Sequence, residues 1–173
     1  MNSQRIAHTA LYLAIALVLP IGFHQFGLGG RIFLPMHIPV LVCGFVLGPF
    51  PAVLVGLMAP LLSHLLTSMP PGYAVPLMTL ELPLYGLVAG LAYYKMKINI
   101  YVALVVAMIA GRLMFALGLV ILGLFMELPY GAVQFFAAGG AVVSGLPGIV
   151  IQLILVPPVV AAIRRTMRPL PKA

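Results

Sequence analysis

Residues 107–118 read AMIAGRLMFALG, eleven uncharged residues around a single arginine, Arg112. Apolar sequence continues on both sides, giving one helix over about 100–125. A helix needs about 20 such residues to cross a bilayer. A guanidinium within that length is costly unless it faces a bundle interior or a cavity. The stretch therefore predicts a membrane helix that turns Arg112 toward other helices.

The remainder of the chain has the same character. Of 173 residues, 64% are hydrophobic and 6% charged, against about 25% charged in a soluble domain. So few polar groups cannot cover a water-facing surface. Dividing the chain at its Pro, Gly and charged punctuation places helices at about 5–23, 34–48, 51–68, 76–94, 100–125 and 145–163. Six spans use roughly 120 residues, which leaves short loops and no room for a soluble domain. The expectation is an all-α integral membrane protein, a six-transmembrane-helix bundle forming a single membrane domain over 1–173. The opening stretch MNSQRIAHTALYLAIALVLP lacks a small-residue cleavage site and is followed by further spans, so it is expected to be a retained first helix. Segment 128–144 is apolar and rich in Gly and Ala. It is expected to form a re-entrant or capping loop, or a partial helix.

The net charge of +7 sits at helix ends rather than in a basic patch, which argues against nucleic acid. With the N-terminus inside, Arg5, Lys95, Lys97, Arg164, Arg165, Arg168 and Lys172 face the cytoplasm and only Arg31 faces out. The positive-inside rule then puts both termini in the cytoplasm, as an even number of spans requires. The one cysteine, Cys43, allows no internal disulfide.

Depth follows from counting at about 1.5 Å per helical residue from the cytoplasmic edge. On that count Arg112 stands about 22 Å up, Glu81 about 21 Å, His64 about 20 Å, Gln152 about 18 Å and His37 about 17 Å. Prolines 39, 60 and 83 shift these heights by up to about a turn. Five helices thus place their most polar residue in one layer, in the outer half of the membrane. This predicts an outward-opening pocket for a small molecule, with loops 24–33, 69–75 and 127–144 placed to close over it.

Each residue also has a plainer role open to it. Glu81 and Arg112 neutralise each other as a packing pair. His37 and His64 each bond a backbone carbonyl freed by a nearby proline. Gln152 serves as a link between helices. Tyr85, one turn from Glu81, and the loop residues Tyr73 and Tyr130 sit as interfacial aromatics. The shared depth is what favours a site. A single arginine suits a carboxylate or phosphate, which it can hold with two hydrogen bonds. If Glu81 balances it, a neutral or zwitterionic ligand fits instead. The chain has no Trp, and the layer is otherwise aliphatic with Met78, Met108 and Met114, which leans toward a small, flexible, acidic ligand.

Other chemistry is missing from the sequence. It has no GxxxxGK[ST] phosphate loop, no HExxH or CxxC metal spacing, no GxSxG nucleophile and no Asp. Neither catalysis nor a resident metal is expected. Glu81 is the one acid within the membrane, too few for the relay of a proton-coupled carrier. A chain that binds but carries no energy source needs a partner that supplies it. Helix 1 carries a small-residue stripe of Ala7, Ala10 and Ala14, with the AxxxA spacing of Ala10 and Ala14. Such stripes let helices approach closely in lipid, either within the bundle, as for GFVLG (44–48) and GLVAG (86–90), or against another protein.

Four stretches together carry a family resemblance: AHTALYLA (7–14), RIFLPMHIPVLVCGFVLGPFPAVLVGLMAPLLSHLLTSMPP (31–71), MTLELPLYGLVAGLAYYK (78–95) and AGRLMFALG (110–118). The chain resembles the substrate-binding S components of energy-coupling factor (ECF) vitamin transporters, and most of all the branch with pantothenate and folate carriers. The resemblance implies six helices with both termini cytoplasmic and a substrate site near the outer face of a bacterial plasma membrane. The polar layer counted above, Arg112, Glu81, His37, His64 and Gln152 with Tyr85, is then the expected site. The resemblance also implies docking, through Ala10 and Ala14, onto a transmembrane coupling protein with two ATPase subunits. ATP is then bound by those partners and no cofactor by this chain. A flexible carboxylate vitamin such as pantothenate is the expected ligand, with folate or a B6 vitamer as alternatives. A stand-alone secondary carrier of a small metabolite is the alternative of another class.

Overall fold

A computed structural model of the chain describes residues 3–25, 33–125, 127–128 and 145–166. Among them are six helices and no strand: α1 (Ser3–Gln25), α2 (His37–Leu47), α3 (Pro49–Thr67), α4 (Ala74–Tyr94), α5 (Ile100–Leu122) and α6 (Leu146–Thr166). Five are long and apolar enough to cross a bilayer. The sixth, α2, differs from the span expected over 34–48. It has 11 residues, about 16 Å of helix, roughly half of the hydrocarbon core. Local chemistry sets its limits. Leu34 has a positive φ of 49° and turns the chain just before Pro35. Pro39 falls in the first turn, where its missing N–H has no intrahelical partner to lose. At the other end Gly48, at φ 98°, makes a turn that other residues adopt only with strain, and Pro49 opens α3.

A half-length helix leaves its first turn at mid-depth. It is tolerated because neighbours enclose it: nine of its eleven residues are buried, all but Ile38 and Val46. The central helix is α4, which packs against α2, α3 and α5, while α6 lies on α2 and α5. Lipid tails are as apolar as leucine, so helices in a bilayer gain by close approach. Glycines on α2, α3 and α4 provide it. A Cβ at Gly86 would stand 2.6 Å from the Ala52 Cβ, one at Gly90 2.6 Å from the Pro49 nitrogen, and one at Gly56 2.6 Å from the Pro83 nitrogen. A Cβ at Gly44 would stand 2.8 Å from the Gly86 carbonyl oxygen. Residues 44, 86 and 90 of the two glycine motifs are therefore spent inside the bundle. The alanine stripe of α1 is not. Ala7, Ala10 and Ala14 are exposed, and α1 turns Tyr12 and Ala16 inward instead. On α5 the outward face carries Val102, Val106, Ile109, Leu113, Leu117 and Val120, an apolar surface suited to lipid.

The C-terminal end of α2 is clasped. Its last carbonyls have no intrahelical donors, and side chains from three helices supply them. Arg5 Nη2 donates to the Leu47 carbonyl at 3.1 Å. The Tyr94 hydroxyl lies 2.7 Å from the Val46 carbonyl and 3.0 Å from that of Phe45. Arg164 Nη2 donates to the Phe45 carbonyl at 3.1 Å and to the Tyr94 hydroxyl at 2.7 Å. Its Nη1 reaches the Tyr93 hydroxyl, and the guanidinium lies 4.6 Å from the centre of the Tyr93 ring. The start of α1 and the end of α6 thus meet at the same end of the bundle. Arg164→Ala is expected to lower stability by about 1–2 kcal/mol, after allowance for solvent at this exposed end. Thermal unfolding in detergent would show the loss, with ligand affinity unchanged.

Candidate substrate site

Three helices bring one charged or imidazole group each to a common point. His37 is the first residue of α2, Glu81 lies in the first half of α4, and Arg112 lies midway along α5. Glu81 stands between the other two. Its Oε1 is 3.3 Å from Arg112 Nη1, and its Oε2 is 3.5 Å from His37 Nε2. The side chains of His37 and Glu81 are 2% exposed, while that of Arg112 is 19% exposed and forms the open side of the cluster. The first turn of α2 adds the electropositive end of a helix beside the carboxylate.

Tyr85 completes the arrangement. It follows Glu81 by one turn, so both side chains leave α4 on one face. Its ring meets His37 edge to face, with centroids 4.9 Å apart and planes at 87°, and its hydroxyl engages the Glu81 side chain. On its other side the ring lies directly on the α5 backbone at Gly111, where a Cβ would overlap ring carbons Cε2 and Cδ2. Gly111 is therefore what allows Tyr85 to stand between α5 and His37.

The cluster is under-bonded for its burial. Charge-assisted N–H···O contacts run to about 2.7–2.9 Å, shorter than either contact to Glu81. Buried and without a hydrogen-bond partner among the described residues are His37 Nδ1 and Nε2, Glu81 Oε1, Arg112 Nε and both amide atoms of Gln152. Leaving one such group unsatisfied costs about 1–3 kcal/mol. Together they offer donors and acceptors that other bonds in the fold have not claimed.

The other residues of the sequence-predicted layer separate. Gln152 is buried on α6, which packs against α2 and α5, and no hydrogen bond joins it to the Glu81 cluster. His64 Nδ1 is 2.8 Å from the Pro70 carbonyl, so this ring pins the turn after α3 rather than meeting Glu81. Thr67 supports the same turn, accepting from the Met69 N–H. Of the three loops expected to cover the pocket, 69–75 is described, while 24–33 and 127–144 fall largely outside the described residues, as does Tyr130. Sequence reading missed the part played by Gly111 and the clasp on α2. Tyr93, Tyr94 and Arg164 within one chain were its only outward sign.

A family model for the substrate-specific component of ECF transporters matches residues 4–160. The chain belongs to that family. Comparisons with curated proteins and with solved structures gave no match. ECF substrate-specific components bind small molecules in the membrane and work with a membrane coupling protein and ATPases. The match takes in α2 to α5 whole, all of α1 but Ser3 and all of α6 up to residue 160, and with them the Glu81 cluster and the exposed alanines of α1.

Proposed function

We propose that this S component is the vitamin-binding subunit of an ATP-driven importer, and that its ligand is held by the Glu81–Arg112–His37 cluster. The observation that carries the reading is the burial of that cluster with polar atoms left unbonded. A purely structural ion pair gains from closing its bonds, whereas a binding site keeps donors and acceptors for the ligand. Arg112 is the most accessible member and the anchor for a carboxylate, which makes pantothenate the first candidate, with folate or a B6 vitamer behind it. Tyr85, packed on His37, belongs to the same assignment, with Gln152 of α6 and His64 at the turn after α3 as its further members. Both termini lie on the cytoplasmic side of a bacterial plasma membrane, where Lys95, Lys97 and Arg165 join the basic end.

Energy comes from two ATPase subunits through a transmembrane coupling protein that docks on α1. Exposure of Ala7, Ala10 and Ala14 supports this, because the stripe has no use within the bundle. Ala10→Trp is expected to leave ligand affinity unchanged and to abolish uptake in cells that carry the partner subunits. Normal uptake by that variant would exclude α1 as the docking helix. The identity of the ligand is tested by mass spectrometry of the small molecule that co-purifies with the protein. Uptake by the chain alone, in proteoliposomes without ATP, would overturn the subunit reading in favour of a stand-alone carrier.

A further inference from the structure

We infer that an anionic ligand binds at Arg112 together with one proton, which the Glu81–His37 pair takes up from water. The inference rests on the reading of Arg112 as a carboxylate anchor. Arg112 is already balanced, because Glu81 Oε1 lies 3.3 Å from its Nη1. The groups that face Glu81 are few. From α2 comes His37, from α5 Arg112, and from α4 itself Tyr85. The α3 residue His64 does not face Glu81, since its ring is turned onto the Pro70 carbonyl. The α6 residue Gln152 is neutral, and Arg5, Lys95 and Arg164 belong to the opposite end of the bundle, beyond the clasp on α2.

With a neutral imidazole, Glu81, Arg112 and His37 sum to zero charge. A ligand carboxylate entering at the guanidinium makes two carboxylates contend for one cation in a site where Glu81 is almost fully enclosed. Neighbouring carboxylates in such a site do not both stay ionised without compensation, and a net buried charge is strongly disfavoured. One proton restores neutrality by either of two routes. On Glu81, it frees Arg112 for the ligand and leaves a carboxylic acid that donates. On His37, it makes an imidazolium that holds Glu81 while Arg112 turns to the ligand. Among the described residues, both ring nitrogens of His37 and Glu81 Oε1 lack hydrogen-bond partners, so a proton can be added at any of them without displacing an existing hydrogen bond. The balance is ligand carboxylate plus site plus one proton giving a neutral complex, with no covalent bond made or broken.

Two consequences follow. Affinity for a carboxylate falls as pH rises, by about tenfold per pH unit where the free cluster is net neutral. Glu81→Gln removes the competing charge beforehand. That variant should bind the anion at pH 8 at least about tenfold more tightly than the parent, with a flat pH profile. A residue that only held Arg112 in place would instead lose affinity on the same substitution.

The test is isothermal titration calorimetry of the full chain in detergent, with pantothenate as probe, in phosphate and in Tris at pH 7–8. The two buffers differ in ionisation enthalpy, so the difference in heat counts protons. Pantothenol, in which a primary alcohol stands where pantothenate has its carboxylate, is the neutral comparison. About one proton taken up with pantothenate and none with pantothenol supports the inference, and it needs no variant to fold. Binding of pantothenate with no proton exchanged and a pH-independent Kd overturns it, while leaving the carboxylate site standing. Equal binding of pantothenol and pantothenate, or binding of neither pantothenate nor folate, overturns the carboxylate reading and the inference with it.

Discussion

Arg112→Ala is expected to weaken pantothenate binding by at least about 30-fold, equivalent to about 2 kcal/mol or more, while the protein still inserts and folds. Two effects act together. The ligand loses its guanidinium partner, and the fixed fork of arginine gives two parallel bonds that no other described side chain at the site can supply. Glu81 also loses its counter-charge while still enclosed, opposite His37 alone. Removing one partner of a buried pair costs about 3–5 kcal/mol, so the thermal midpoint should fall as well. The double variant Arg112→Ala/Glu81→Ala separates the two. It removes the stranded carboxylate and should recover most of the lost stability, yet ligand binding should stay lost. Recovery of both would make Glu81 and Arg112 a packing pair and no more. Arg112→Lys keeps the charge without the planar fork and should fall between the parent and the alanine variant.

Gly111→Ala is expected to destabilise the bundle by about 1–3 kcal/mol, the range for an added methyl in a filled core. Nothing about the residue type announces this, since alanine is the better helix former by about 1 kcal/mol. The Tyr85 ring occupies the space that the new Cβ needs, and on its far side it is held by the His37 imidazole. The ring must therefore move toward His37, or α4 and α5 must part. Either shift disturbs the cluster, so ligand affinity should fall along with the thermal midpoint. Tyr85→Ala placed in the Gly111→Ala background should relieve the overlap and return part of the stability. Gly22→Ala is the control, because a Cβ there meets nothing within 4 Å and the helix should accept it without loss. An unchanged midpoint for Gly111→Ala would show that the ring can move at no cost.

Counting residues along each predicted span gave the height of a side chain but not its direction around the helix. Height was enough for His37, Glu81 and Arg112, which meet within 3.5 Å. It was not enough for His64, whose ring turns to a carbonyl in the following turn. The five long spans were legible because lipid demands about 20 apolar residues in a row. The short α2 was less so. Its apolar run extends past its ends, and the limits come from the backbone at Leu34 and Gly48, which hydropathy does not report. Glycines were legible as a class and not one by one. The chain has 18, and only the packing distinguishes Gly111, against an aromatic ring, from Gly22, against nothing.

The 11-residue α2 runs from the clasp to the Glu81 cluster beside α4, which carries both Tyr94 and Glu81. Arg5, on the helix whose alanines face outward, grips one of its ends, and His37 begins the other. An α-helix resists compression along its axis far more than side chains resist rotation. The segment therefore works as a stiff strut about 16 Å long. A push or pull on α1 at its basic end is delivered to the imidazole beside Glu81 with little loss along the way. Under the proposed docking on α1, the partner would hold the far end of a strut that reaches the Glu81 cluster.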